Sequence, residues 1–267
     1  MNRIDEKFKK LRQKEEKGFI AYLCAGDPDL ETTYALIREL DEKGVDILEL
    51  GVPFSDPIAD GPTIQRASER ALRRGTSLRD ILILVKQLRK EISCPLVLLS
   101  YYNPIYRCGI RRFATDCREV GVDGVIVPDL TLEEGEALKT AAYREGLAII
   151  FLVSPTSSRE RIRIIGNWSK GFIYYVSLTG ITGARPGLEK GIKDKIAKIR
   201  EVTSKPIAVG FGISTPEQAY KVAQWGDAVI VGSALIDVME KHLNQPDLVP
   251  TVGNFAHSFI KAVKIKR

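Results

Sequence analysis

The chain has little to offer a soft metal. Its two histidines, His242 and His257, lie far along the sequence from Cys24, Cys94, Cys108 and Cys117, and no CxxC pair occurs. That spacing argues against a Cys/His metal site. The N-terminal Met1–Lys17 is crowded with Lys, Arg and Glu and lacks the apolar stretch of a signal peptide or membrane span. A cytoplasmic protein with no membrane contact is therefore expected. The net charge of +6 is mild, and its cations alternate with acids in runs such as EKFKKLRQKEEK. The clustered basic face that nucleic-acid binding requires is missing. Also absent is a GxGxxG turn after the first apolar run, where Ala25-Gly26-Asp27-Pro28 stands instead. This counts against an open, doubly wound dinucleotide-binding sheet.

What is present is a recurring unit. The 267 residues are 44% hydrophobic and 28% charged, enough to bury a sizeable core. Short β-branched runs alternate with longer stretches of helical spacing. The pattern predicts strands at Phe19–Cys24, Asp46–Gly51, Leu96–Ser100, Gly124–Val127, Ala148–Val153, Phe172–Ser177, Ile207–Gly210 and Ala228–Val231. Helices are expected at about 31–43, 62–73 with 78–91, 110–119, 133–144, 159–167, 190–202, 215–225 and 233–243. Glycine closes several helices just before the next strand, as in Gly44-Val45-Asp46, Gly121-Val122-Asp123 and Gly226-Asp227. Eight such units of roughly 33 residues match a closed parallel (β/α)8 barrel, the TIM-barrel class of α/β fold, as a single domain over 1–267. Two extra helices, Asn2–Gln13 and Val249–Lys264, carry apolar stripes (Ile4, Phe8, Leu11; Phe255, Phe259, Val263) that would pack against it.

In such a barrel the site is built at the C-terminal ends of the strands. The second strand holds Glu49 between Leu48 and Leu50, and alternation turns its side chain toward the axis. There it is either an acid–base group with a raised pKa or a structural acid paired with a neighbour. The loop GVPFSDPIADGP follows. Asp60 precedes Gly61-Pro62, so a helix cap is the reading that local sequence favours, with a role at the mouth as the alternative. Asp56 reads as a turn former. After strands seven and eight, VGFGIS and VGSA offer small residues and a helix start, the usual phosphate seat of this fold, and GITGARPG after strand six could close over it. No lysine stands at an inner C-terminal strand end for Schiff-base chemistry: Lys170 and Lys205 precede strands, and Lys190 and Lys193 lie on a helix. What remains is carboxylate acid–base chemistry on a phosphorylated small molecule, with apolar walls from Tyr22, Leu99, Phe211 and Ile230.

The segment LELGVPFSDPIADGPTIQ, Leu48–Gln65, closely resembles the signature of the tryptophan synthase α-chain family. The likeness extends to AGDP (25–28), SYYNPI (100–105), GVDGVIVPDL (121–130), SLTGITGAR (177–185), GFGIS and VGSA, essentially the whole chain. The resemblance implies a retro-aldol lyase that splits indole-3-glycerol phosphate into indole and glyceraldehyde 3-phosphate. It implies Glu49 as general acid/base, Asp60 on the indole N–H and Tyr174 orienting Glu49. The implied indole pocket is Tyr22, Leu99, Ile126, Pro128, Phe211 and Ile230, and the phosphate site is Gly183, Ala184, Gly212, Ile213, Gly232 and Ser233. It also implies an α2β2 complex in which a β subunit carries the pyridoxal phosphate, with no cofactor in this chain. Pro53–Asp60 and Asn103-Pro104 would face that partner. Taken without the resemblance, Asn103-Pro104 is a turn. Some members have Phe where this chain has Tyr22, and some have Arg where it has Leu178.

Overall fold

A computed structural model of the chain describes residues 2–177, 186–210 and 212–265, with the backbone alone for 186–190. The strands are β1 (Gly18–Cys24), β2 (Ile47–Gly51), β3 (Leu96–Leu99), β4 (Gly124–Ile126), β5 (Ala148–Ile150), β6 (Leu152–Val153), β7 (Ile173–Val176), β8 (Ile207–Gly210) and β9 (Ala228–Val231). All pair in parallel, in the order β5-β4-β3-β2-β1-β9-β8-β7-β6. The expected fifth strand, Ala148–Val153, is thus divided at Phe151. There the Phe151 N–H donates to Ser169 Oγ (3.3 Å). Its first part pairs with β4 and its second with β7. The two ends of the sheet therefore meet within one stretch of chain, and the barrel class expected from the sequence holds.

The helices are α1 (Arg3–Gln13), α2 (Leu30–Glu42), α3 (Pro62–Arg73), α4 (Leu78–Leu88), α5 (Tyr102–Cys108), α6 (Ile110–Val120), α7 (Glu136–Arg144), α8 (Arg159–Trp168), α9 (Pro186–Arg200), α10 (Pro216–Ala223), α11 (Ser233–Lys241) and α12 (Leu248–Val263). Helix α5 is an addition to the expected set. The turn read at Asn103-Pro104 is instead its first turn, where proline costs no hydrogen bond because the first amides of a helix lack partners anyway. Its Tyr102 N–H is taken up by the Asp129 carboxylate (2.9 Å), and Gly109, at φ +91°, ends it.

Strand alternation divides the core in two. One face of each strand fills the barrel, with Ile20, Ile47, Val97, Ile126, Ile150, Ala208 and Ile230. The other face, including Phe19, Leu48, Leu98, Val125, Val209 and Val229, packs under the helices. Helix α1 does not join the outer ring. Its stripe of Ile4, Phe8 and Leu11 belongs to the inner cluster and closes the N-terminal end of the barrel. Those three side chains are at most 6% exposed, and each such burial contributes roughly 1.5–3 kcal/mol. Helix α12 packs outside, with Phe259 6.0 Å from Phe19.

The strand starts share a polar device. Asp46, Asp123 and Asp227 immediately precede β2, β4 and β9. Each accepts an N–H from the first or second residue of a neighbouring strand, Phe19, Leu96 and Ile207 respectively, all at 2.9 Å. Each also meets a cation: Lys264 (3.3 Å), Arg89 (2.9 Å) and Arg200 (2.8 Å). Among the described residues, no helix is long and apolar enough to cross a membrane, and no group of His, Cys, Asp and Glu could hold a metal ion.

Candidate active site

Glu49 sits on the inner face of β2, in register with Tyr22 of β1 and Val97 of β3. It is 2% exposed, and its Oε2 is the one buried side-chain oxygen without a hydrogen-bond partner among the described residues. A carboxylate in that position has lost its water and gained nothing in return, so its neutral form is favoured. Desolvation first, and the charge of Asp60 second, lift its pKa from an ordinary 4.5 to about 8.

Asp60 is half-buried in the loop between β2 and α3. The cap favoured by local sequence is not formed: Gly61 is the N-cap of α3 and Pro62 its first residue. That leaves the Asp60 carboxylate to look inward, where Oδ2 accepts from the Tyr101 hydroxyl (3.1 Å). Desolvation raises its pKa to about 6, with the Tyr101 hydrogen bond working against the shift. The sequence reading did not single out Tyr101, yet it organises the loop. Its oxygen also accepts the Ala59 N–H (2.9 Å), and its ring stacks on Phe54 at 5.1 Å. Ser68 of α3 then holds the Phe54 backbone at both N–H (2.8 Å) and C=O (3.0 Å). Asp56 is exposed and takes part in the turn, its carbonyl accepting from Ile58 N–H (2.9 Å).

Two tyrosines flank Glu49, each seated on a glycine. Tyr174 lies on the inner face of β7, and a Cβ at Gly210 would come within 2.6 Å of its hydroxyl. Desolvation, then the charges of Glu49 and Asp60, push its pKa well above 10. Tyr175 points to the outer core, as alternation requires. Tyr22 rests on Gly51, where a Cβ would lie 2.7 Å from its Cζ. Of the apolar walls, Ile126 and Ile230 belong to the inner cluster, Leu99 packs against it, and Pro128 is half-buried in the turn after β4.

Two strands from Glu49 in the sheet order, after β9, α11 begins at Gly232-Ser233 with no side-chain cap. Its first amides are the kind of site that holds an anion. Gly212 adopts φ +75° after β8, a backbone that only glycine takes up without strain, and Ile213 behind it is buried. Gly183 and Ala184, expected at the phosphate, Phe211, expected in the pocket wall, and Leu178 lie outside the described residues.

A polar clamp anchored on one buried acid ties these loops together. Asp27, fully buried after β1, takes a two-pronged grip from Arg70 of α3 (2.7 and 2.9 Å). Arg70 also reaches Glu240 of α11 (2.9 Å), which Arg66 holds as well. Thr63 at the start of α3 donates to Asp237 (3.0 Å). The loop bearing Asp60 thus runs into a helix that is fixed to the helix of the candidate phosphate seat.

A family model described as tryptophan synthase alpha chain matches residues 8–260. The chain is 50% identical over 264 residues to the tryptophan synthase alpha chain of Geotalea uraniireducens, covering 99% of this chain and 98% of that one. It is 46% identical over 258 residues to that of a Thermoanaerobacter species, covering 97% and 98%. Tryptophan synthase subunit alpha from Legionella pneumophila superposes with a TM-score of 0.91 at 41% identity over 98% of each chain. A chain of Mycobacterium tuberculosis tryptophan synthase does so with a TM-score of 0.91 at 35% identity over 99% of each.

Proposed function

This chain belongs to the tryptophan synthase alpha chain family, and from that premise we propose that Glu49 and Asp60 divide the proton work at the barrel mouth. The reaction is that of a carbon–carbon lyase in tryptophan biosynthesis, the retro-aldol cleavage of indole-3-glycerol phosphate to indole and glyceraldehyde 3-phosphate. The observation that carries the assignment is the difference in surroundings: Glu49 is buried with a side-chain oxygen that has no partner, whereas Asp60 is half-buried and accepts from the Tyr101 hydroxyl. With Glu49 near 8 and Asp60 near 6, neutral pH leaves the first protonated and the second ionised. Two carboxyl groups whose surroundings set them apart in this way are an acid and an electrostatic stabiliser.

Glu49 gives its proton to indole C3. The ring then carries an iminium-like positive charge, which the Asp60 carboxylate, accepting from the indole N–H, stabilises in a site with little water. Glu49, now ionised, takes the proton of the glyceryl hydroxyl on the carbon attached to the ring. The oxygen closes to a carbonyl, the carbon–carbon bond breaks, and its electron pair restores the neutral indole. Glu49 ends protonated, as it began. Tyr174 orients Glu49. Tyr22, Leu99, Ile126, Pro128, Phe211 and Ile230 hold the ring, while Gly183, Ala184, Gly212, Ile213, Gly232 and Ser233 hold the phosphate. Chain 1–267 works as a single barrel domain in the cytoplasm, with no cofactor of its own. A β subunit carrying pyridoxal phosphate completes an α2β2 complex, docking on Pro53–Asp60 and α5. Ile58, 84% exposed in that loop, is the apolar residue such a partner would cover.

Glu49→Gln tests the reading. Indole release should fall by at least about 10²-fold, while binding of a glycerol phosphate ligand stays near that of the unaltered chain. A variant that cleaves substrate at the original rate would remove Glu49 from the mechanism.

A further inference from the structure

Tyr22 has a polar end that the proton transfers above leave unused. One flank of its ring rests on Gly232, where a Cβ would lie 3.3 Å from Tyr22 Cβ and Cδ1, and its tip lies over Gly51. The ring therefore bridges the mouth from the start of α11 to the end of β2. A side chain at either glycine would displace it. Gly51 follows Glu49 by two positions on the same strand face, so the hydroxyl lies toward the open side of Glu49, with the Asp60 carboxylate also acting on it.

That hydroxyl remains a donor. Desolvation, with the Asp60 carboxylate adding to it, holds it in its neutral form. Among the described residues it donates to no protein group. Because Glu49 Oε2 is the one sealed side-chain oxygen without a partner, the Tyr22 hydroxyl keeps an opening into the mouth. A substrate that excludes water must supply an acceptor there, or the hydroxyl goes unpaired at a cost. A substrate with its phosphate at α11 and its ring nitrogen at Asp60 spans the same gap as the tyrosine ring. Its reacting carbon then lies at the Glu49 end, beside the tyrosine oxygen.

We propose that Tyr22 Oη donates a hydrogen bond to the glyceryl hydroxyl oxygen that becomes the carbonyl of glyceraldehyde 3-phosphate. This rests on the assignment of Glu49 and Asp60 above. When Glu49 removes the proton, negative charge collects on that oxygen before the carbon–carbon bond breaks. The tyrosine stabilises the charge and keeps its own proton throughout. Tyr22 is then a catalytic residue as well as a wall. Glu49 and Asp60 remain in place without the donor, so its loss is expected to weaken turnover and not abolish it.

Tyr22→Phe removes one oxygen and leaves the ring in place. For the purified chain, kcat on indole-3-glycerol phosphate should fall roughly tenfold to a hundredfold, the loss of one hydrogen bond to a charged group. Affinity for indole-3-propanol phosphate, which lacks the glyceryl hydroxyls, should not change, and the melting temperature should stay within a few degrees. An unchanged kcat would overturn the proposal. So would an equal loss of affinity for the hydroxyl-free ligand, which marks packing alone, or an upward move of the acidic limb of the pH profile, which marks an action on Asp60. Glu49→Gln separates the two layers: if that variant stays active, the underlying assignment has failed whatever Tyr22→Phe shows.

Discussion

At the floor of the barrel Asp46 and Asp123 are each 3% exposed, and at the mouth Glu49 is 2% exposed. The floor acids are answered on every side, by an N–H at the start of a neighbouring strand and by a lysine or arginine. Glu49 faces an oxygen-bearing neighbourhood of Tyr22, Tyr174 and Asp60 and has an oxygen with no partner. Depth is the same and chemistry opposite. The partners of a buried acid, and not the burial, separate one that holds strands in register from one that is free to trade protons.

Exchanging the two kinds of acid for uncharged residues should give mirror-image results. Glu49→Gln should cost at least about 10²-fold in turnover and yet stabilise the fold. The sign follows from linkage: with its pKa raised from 4.5 to about 8, Glu49 holds a proton in the native state that the unfolded chain releases. Its neutral form is therefore matched to the fold at low pH, and stability declines as pH climbs from about 4.5 to about 8. Relative to the unaltered chain, the variant should gain stability progressively as pH climbs across that range, read by denaturant titration at several pH values. A gain that does not vary with pH would contradict the raised pKa.

Asp123→Ala strips the partner from Arg89, a guanidinium 10% exposed, and from the Leu96 N–H. A loss of about 3–5 kcal/mol is expected, with kcat per folded molecule held. If kcat collapses while the melting curve does not move, the floor and the mouth are not the separate regions described here.

The pH profile of kcat/KM should be bell-shaped, because the proposed mechanism needs Asp60 ionised and Glu49 protonated. It falls below about 6 and above about 8. A single rising limb would break the division of labour. The smallest effect expected is the most specific. In Asp60→Asn, beyond an overall loss of about 10²-fold, the alkaline limb should move to lower pH, because the repulsion that helps to raise Glu49 is gone.

Both regions left marks in the sequence, of unequal clarity. Alternation along DILEL was enough to turn Glu49 inward, and the glycine-closed connections located the strand starts. What Gly44-Val45-Asp46 and its relatives did not reveal was the work of the aspartate. Its hydrogen bond reaches back from Asp46 to Phe19, across 27 residues, and local patterning carries no record of such a partner. Local sequence alone favoured a cap at Asp60 over its role at the mouth for the same reason: its partner Tyr101 is 41 residues away. Helix α5 was missed because proline after asparagine looks like a turn until the Asp129 carboxylate, 27 residues on, caps the Tyr102 amide. The outer core and the helical ring, which depend on periodicity alone, were legible.

Helix α1 stoppers the cylinder at one end with Ile4, Phe8 and Leu11. The vessel is bottomless in outline and bottomed in fact, so a cleaved aromatic ring cannot drain along the axis and must depart on the side by which it arrived. The rim formed by the strand ends is then both the entrance and the exit of the chamber.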